Sequence, residues 1–291
     1  SVTPLTALEL EKIIHEAGFP KGVFKVVIGS GSTVGMALTR SPLVDKIAVT
    51  GSVETGRAIM KAAAETNLKK VTLELGGKSA NIFFDDSDFE SAVDGALFGI
   101  FPNQGKVCSA GSRILVQKKM FDKFVSAMVK KTKTIRLGDP LDPKTKMGPL
   151  VSKEQRDRVE KYIAIGKKEG GEIACGGSRP KNLKKGYFVE PTIFVKVNNK
   201  MRIAREEIFG PVVTVIPFKD EAEAIKIAND SPYGLAGAVW TRDINRAFRM
   251  VKAIKAGILW VNTMQPTYVE APWGGYKQSG TGRELSHYGL E

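Results

Sequence analysis

Two residues in this sequence stand out as able to make and break bonds. Cys108 lies in Asn-Gln-Gly-Lys-Val-Cys-Ser-Ala-Gly-Ser-Arg, from Asn103 to Arg113, and Glu74 lies in Leu-Glu-Leu-Gly-Gly-Lys-Ser. Most unpaired cysteines are small core residues. This one has short polar neighbours instead, and the adjacent Lys106 is expected to favour its thiolate, which is the reactive form. A nucleophilic thiol needs a base. The sequence has two histidines, His15 on the first helical stretch and His287 near the far end, and neither has a setting that suggests catalysis. A Cys-His hydrolase is therefore disfavoured, and a Cys-Glu pair is what remains. Glu74 ends an apolar strand, and Gly76 and Gly77 after it would let another chain segment or a ligand approach the backbone.

Two glycine turns invite comparison with nucleotide-binding loops. Gly29 to Gly35 follows an apolar run, but its third glycine comes one residue late and no acidic residue stands at the usual later strand end. It reads better as a plain strand–helix turn than as a dinucleotide fingerprint. The turn Thr50-Gly51-Ser52-Val53-Glu54-Thr55-Gly56 follows a strand and opens a helix, so its N–H groups would face an anion. Ser52 as a simple helix cap is the alternative.

The elements that must position these residues alternate in kind, as in a parallel α/β sheet. The expected order begins with helix 6–16, strand 23–28, a short helix 33–38, strand 46–50, helix 54–65 and strand 70–74. It continues with strand 82–84, helix 89–100, strand 113–116 and helices 122–133 and 153–169. Strands 189–194 and 212–218, helix 221–229, run 237–241, helix 244–254 and strand 257–261 complete it. Residues 176–186 and 272–289 read as loop. The opening on a helix, with two or three strands of a first sheet, predicts a chain that is the C-terminal part of something longer.

Composition narrows the function classes. With 42% hydrophobic and 26% charged residues the chain is globular, and its apolar runs are too short for a bilayer-spanning helix. No targeting peptide is visible. Two cysteines make no disulfide framework, and no metal site is expected; a cytoplasmic setting follows. The net charge of +13 would suit nucleic acid. The lysines between Lys118 and Lys133, however, fall around an amphipathic helix as a solvated face, and no aromatic-interleaved basic motif accompanies them, so neither a nucleic-acid nor a membrane partner is expected.

Taken in order, VTLELGGKS, NQGKVCSAGSR and EEIFGPV resemble the aldehyde dehydrogenase superfamily. The likeness extends through TPLTAL, GFPKGV, VTGSVETG, ANDSPYGLA and WVN to APWGGYKQSGTGRE, nearly the whole chain. It implies an α/β fold of that family, a partial Rossmann-type cofactor domain plus an α/β catalytic domain. Residues 1–75 would close the cofactor domain, 76–278 would form the thiol domain, and 279–291 would begin a C-terminal arm. The resemblance makes Cys108 the nucleophile that forms a thiohemiacetal and then a thioester, and Glu74 the base for its hydrolysis. It places Gly51, Ser52 and Gly56 at the pyrophosphate, Leu75 beside the nicotinamide, Glu207 on its ribose and Phe209 nearby. It implies NAD as hydride acceptor, with NADP left open, a small aldehyde as substrate, and a homo-dimer or homo-tetramer in the full-length parent.

Two departures qualify this. The family's oxyanion-hole asparagine and ribose-binding lysine would both precede Ser1, which leaves the Cys108 backbone N–H as oxyanion donor and predicts slow turnover for the chain alone. Trp273 in APWGG, LKKGYFVEPTI and the Gln265-Pro266 turn resemble the betaine aldehyde dehydrogenases, where aromatic rings enclose a trimethylammonium group. Pro102, however, stands where that subfamily has an aromatic wall, and Lys106 replaces a glutamine. Aliphatic aldehydes, lactaldehyde and semialdehydes therefore stay open. So do two other classes: a non-catalytic relative with a structural or interaction role, and a cofactor-independent thiol esterase.

Overall fold

The computed structural model describes residues 2–290 and divides into two units. One comprises residues 2–49 and 54–72, the other 50–53 and 73–290.

In the first unit, helix Leu5–Glu16 is followed by a wide turn at Gly31–Gly35 and the short helix Met36–Arg40. Ser30 begins that turn, its side chain accepting from Thr33 N–H at 3.1 Å. Lys69, itself buried, reaches the carbonyls of Thr39 (2.5 Å) and Ser41 (2.6 Å) and closes the helix's C-terminus. The expected strand at 23–28 does not form. Its backbone has no ladder partner among the described residues of this unit, and Val26 N–H goes to the Glu11 carboxylate at 3.0 Å. Val23, Val27 and Ile28 stay exposed, because β-branched residues favour a strand only where a pleated surface receives them.

The second unit is built on a seven-stranded sheet. Its spatial order is Ile258–Val261, Ala236–Trp240, Ala80–Phe83, Arg113–Gln117, Val212–Phe218, Thr192–Val195 and Glu172–Cys175. Neighbours are parallel except the last pair, which is antiparallel with a register shift between Ile173 and Cys175. Two hydrophobic clusters contain alternate residues of the central strands, Ile82 and Leu115 in one, Phe83 and Val116 in the other. A sheet buried on both faces needs unbroken apolar strands, and these have them. Asp88, Ser152, Asp220 and Asp243 start four of the helices of this unit, each accepting backbone N–H groups of the first turn.

Two regions depart from the expected elements. Glu172–Cys175 is an edge strand too short and too mixed in character to show a period in the sequence. Residues 272–289 are not all loop: Tyr276–Lys277 pairs antiparallel with Tyr233–Gly234, and Gly280–Thr281 with Leu73–Glu74. That second pairing carries a distant segment to the residue singled out as a base. No helix among the described residues is long and apolar enough to cross a membrane.

Candidate active site

Cys108 sits in a turn between helix Phe89–Phe98 and strand Arg113–Gln117, at the C-terminal side of one sheet connection and before the next strand begins. The turn is shaped by three consecutive left-handed residues, Asn103 (φ 51°), Gln104 (φ 57°) and Gly105 (φ 70°). Such runs are costly and persist only where the surroundings enforce them. Gly105 is required: a side chain there would overlap the Gly210 carbonyl. Beyond the cysteine, Ser109 donates to Gln265 Oε1 at 2.7 Å, and Gly111 N–H is bound by the Gly99 carbonyl at 2.8 Å.

Gly77 packs directly on this turn. A methyl group at that position would strike the Cys108 carbonyl oxygen. The segment Glu74–Gly77 is thus laid against the cysteine backbone because it has no side chains where they meet. Ser279 fastens the segment from the other side. Its hydroxyl donates to the Gly76 carbonyl at 2.7 Å and accepts from Gly234 N–H at 3.0 Å, while its carbonyl receives Leu75 N–H at 2.8 Å.

Glu74 is buried, at 4% exposure, and one carboxyl oxygen, Oε2, has no hydrogen-bond partner among the described residues. Burial pushes its pKa up to about 7, helped by the Glu284 charge; Arg283 and a hydrogen bond from Trp273 act in the opposite direction. The Cys108 thiol is pushed up as well, first by burial, then by the negative charges of Glu207 and Glu74; the N–H groups of Ser109 and Cys108 favour the thiolate. The expectation that Lys106 would lower the thiol is corrected. Burial disfavours Lys106's own ammonium form, and the influences that shift the thiol are burial, Glu207, Glu74 and the neighbouring N–H groups, with Lys106 not among them.

Glu207 lies on the other side of the glycine pair. Its Oε1 accepts from Gly77 N–H at 3.0 Å, and a side chain at Gly76 would collide with the same carboxylate. The Glu207–Phe209 segment is held from helix Lys153–Lys168: Arg158 donates to the Glu207 carbonyl at 2.7 Å, and Gln155 to that of Phe209 at 2.6 Å. Phe209, at φ 59°, keeps its ring half exposed beside a small cavity lined by Gly77, Gly105 and Glu207. In the other candidate loop, Gly51 N–H donates to the Glu74 carbonyl at 3.0 Å, exposed Ser52 precedes helix Val53–Ala64, and Gly56 is buried on that helix. Leu75, next to Glu74 in the chain, is buried.

A cleft of about 700 Å³, open to solvent, exposes the cysteine. Phe98, Ile100, Pro102, Val107, Cys108, Gln265, Thr267 and Trp273 line it. Trp273 packs against Trp260 with ring centroids 6.3 Å apart, and Trp260 Nε1 donates to the Pro266 carbonyl at 3.0 Å. Trp273 is thus a wall of the cysteine cleft and also favours the charged form of Glu74. Sequence reasoning missed Ser279, Trp260, Arg283 and Glu284. The signal was there, since three of them fall within or beside APWGGYKQSGTGRE, but the strip carries no period that assigns roles to single residues.

The sequence pattern of the aldehyde dehydrogenase family matches residues 1–291. The chain belongs to that family. Among curated proteins, an aldehyde dehydrogenase of Emericella nidulans is 53% identical over 99% of this chain and 58% of its own length. A betaine aldehyde dehydrogenase of Bacillus subtilis is 51% identical over 100% of the chain and 59% of the relative. A crystal structure of betaine aldehyde dehydrogenase from Staphylococcus aureus, in complex with NAD+, superposes with a TM-score of 0.97 at 51% identity, covering 99% of this chain and 57% of that one. This aldehyde dehydrogenase chain thus spans a little under three-fifths of the length of these relatives, and its α/β fold is that of the family.

Proposed function

We propose that this chain carries the thiol chemistry of an NAD-dependent aldehyde oxidation, an aldehyde being converted to the carboxylic acid on Cys108. The observation that carries the reading is a thiol that lines an open cleft together with a buried carboxyl group, Glu74, whose strand runs into the glycine pair that packs on the cysteine backbone. In the proposed sequence Cys108 Sγ adds to the carbonyl carbon, and the backbone N–H of Cys108 donates to the oxygen that gains charge. The nicotinamide cofactor supplies, when bound, an acceptor for the hydride whose loss leaves a thioester on Cys108. Glu74 then takes a proton from the water that attacks this thioester, releasing acid and thiol. A carboxyl group titrating near 7 is matched to that task at neutral pH.

The residues fit a nicotinamide ribonucleoside. Glu207 offers a carboxylate anchored on Gly77 N–H, a hydroxyl-binding group, and Phe209 an exposed ring on the same loop. Residues 1–75 are proposed as cofactor-binding, 76–278 as catalytic and 279–291 as the start of an arm. The names of the relatives support betaine aldehyde as substrate, and the Trp260–Trp273 pair gives a trimethylammonium group an aromatic wall.

Rapid mixing of the full-length protein with aldehyde and NAD+ tests the mechanism. Cys108→Ala is expected to abolish NADH formation. Glu74→Gln is expected to keep the first burst of NADH while slowing later turnover at least ~100-fold; loss of the burst with the turnover would remove Glu74 from deacylation. In the parent protein, steady-state turnover should rise as pH increases through about 7, where Glu74 becomes a carboxylate. The linkage runs the opposite way for stability. A carboxyl group with a raised folded pKa stabilises below its unfolded value and loses that contribution as pH rises towards 7. Glu74→Gln should therefore raise Tm at pH 8 and not at pH 4. Release of acyl groups from an activated ester without nucleotide, abolished in Cys108→Ala, would show the esterase capacity of the same pair.

A further inference from the structure

Immediately after the glycine pair, three buried polar atoms lack hydrogen-bond partners among the described residues: Lys78 Nζ, Ser79 Oγ and Arg113 Nε. All three residues line one small cavity at the start of strands Ala80–Phe83 and Arg113–Gln117, and none of them lines the cysteine cleft. Lys78 and Arg113 are each 2% exposed and Ser79 is 4% exposed. The rest of the Arg113 guanidinium is engaged, Nη1 with Asn199 Oδ1 (2.8 Å) and the Ile227 carbonyl (2.7 Å), Nη2 with the Ala228 carbonyl (2.8 Å). Native proteins seldom leave buried polar groups unsatisfied, and here three potential donors converge.

The charge around the cavity is mixed: Glu207 and Glu206 favour the Lys78 cation and Asp230 the Arg113 cation, against burial. Lys255 stands exposed at the rim of the cavity, and Lys277 is disfavoured as a cation first by burial and then by Arg113 and Lys255, with Asp230 opposing. The nearby carboxylates are committed to other donors. Asp230 accepts from Arg205 (3.0 Å) and Asn199 (2.8 Å), Glu206 from Arg202 (2.7 Å) and Tyr162 (2.7 Å), and Glu207 from Gly77 N–H. The cavity has room for a guest about the size of one water molecule. A water can accept from the lysine and the arginine and donate to the Ser79 hydroxyl, but it brings no charge to set against the two cations. A halide accepts from all three donors and offsets the charge.

The geometry points to a binding site for one monatomic anion of chloride size, held by Lys78, Ser79 and Arg113. Burial and the Arg113 charge push the Lys78 ammonium down to about 7, and an anion beside it would restore its charge. Bound there, the ion would fix the chain just after Gly76-Gly77 and so brace the segment that carries Glu74.

Crystals of the full-length protein grown with bromide in place of chloride test this at the bromine absorption edge. The expected result is an anomalous peak within hydrogen-bond reach of the three donors, lost in Lys78→Met. No peak in the cavity, or bromide at surface lysines only, overturns the assignment. If Lys78→Met does not fold, Ser79→Ala serves in solution. Chloride, compared with gluconate at equal ionic strength, should raise the Tm of the unsubstituted protein by a few degrees, and Ser79→Ala should need roughly tenfold more chloride for half that rise. An identical chloride response in the two proteins overturns it as well.

Discussion

Two glycine-rich segments of this chain look alike on paper and differ in the fold. At Gly31 and Gly35 an added side-chain carbon would meet nothing within 4 Å. At Gly76 and Gly77 it would run into the Glu207 carboxylate and the Cys108 carbonyl. The first segment resembles a nucleotide fingerprint in spacing, yet Gly31 and Gly35 leave empty room around them and Gly29 meets only the Val34 side chain of its own turn. The second resembles nothing by spacing alone, yet three site residues meet over its bare backbone. A glycine motif signals chemistry when the missing side chain is what permits a contact.

That contrast makes graded predictions, the largest at Gly77. Gly77→Ala forces the segment away from the cysteine backbone, with no flexible side chain to give way. A drop in kcat of about 100-fold is expected, with a stability loss of roughly 1–3 kcal/mol in denaturant titration. Gly76→Ala meets a side chain that can move, so the expected result is narrower: KM for NAD+ rises about tenfold, and kcat changes less. Equal loss in both parameters would mean that Glu207 does not serve the cofactor. Smallest is Gly31→Ala, which should shift stability by no more than ~0.5–1 kcal/mol, towards greater stability, without a kinetic effect. A large kinetic effect there would erase the contrast.

The alternation of helices and strands was legible because its periods are local, as in Phe89–Phe98 or Val212–Phe218. Val23–Ile28 misled, since a strand needs a partner that no local pattern reveals. The prominence of Cys108 and Glu74 could be read from residue type and neighbours, and the family from the order of motifs. Their electrostatics could not. Lys106, two residues from the thiol, turned out less important to it than Glu74 and Glu207, which come from distant parts of the chain. The same holds for Ser279 and Trp273, which reach Glu74 and its neighbours through pairings such as Gly280 with Glu74. Contacts of that span are set by the closed fold and leave no trace in spacing.

The pairing of Gly280–Thr281 with Leu73–Glu74 also sets an order of events during synthesis. The ribosome releases Cys108 and Glu74 long before the strip that clasps them, and domains close as their last elements emerge. Until that strip arrives, the carboxyl group lacks Trp273, Arg283 and Glu284, and the Gly76 carbonyl lacks its Ser279 clasp. In a ribosome-bound chain halted before residue 273, the surroundings of the Glu74 carboxyl would be completed only when the downstream strip followed.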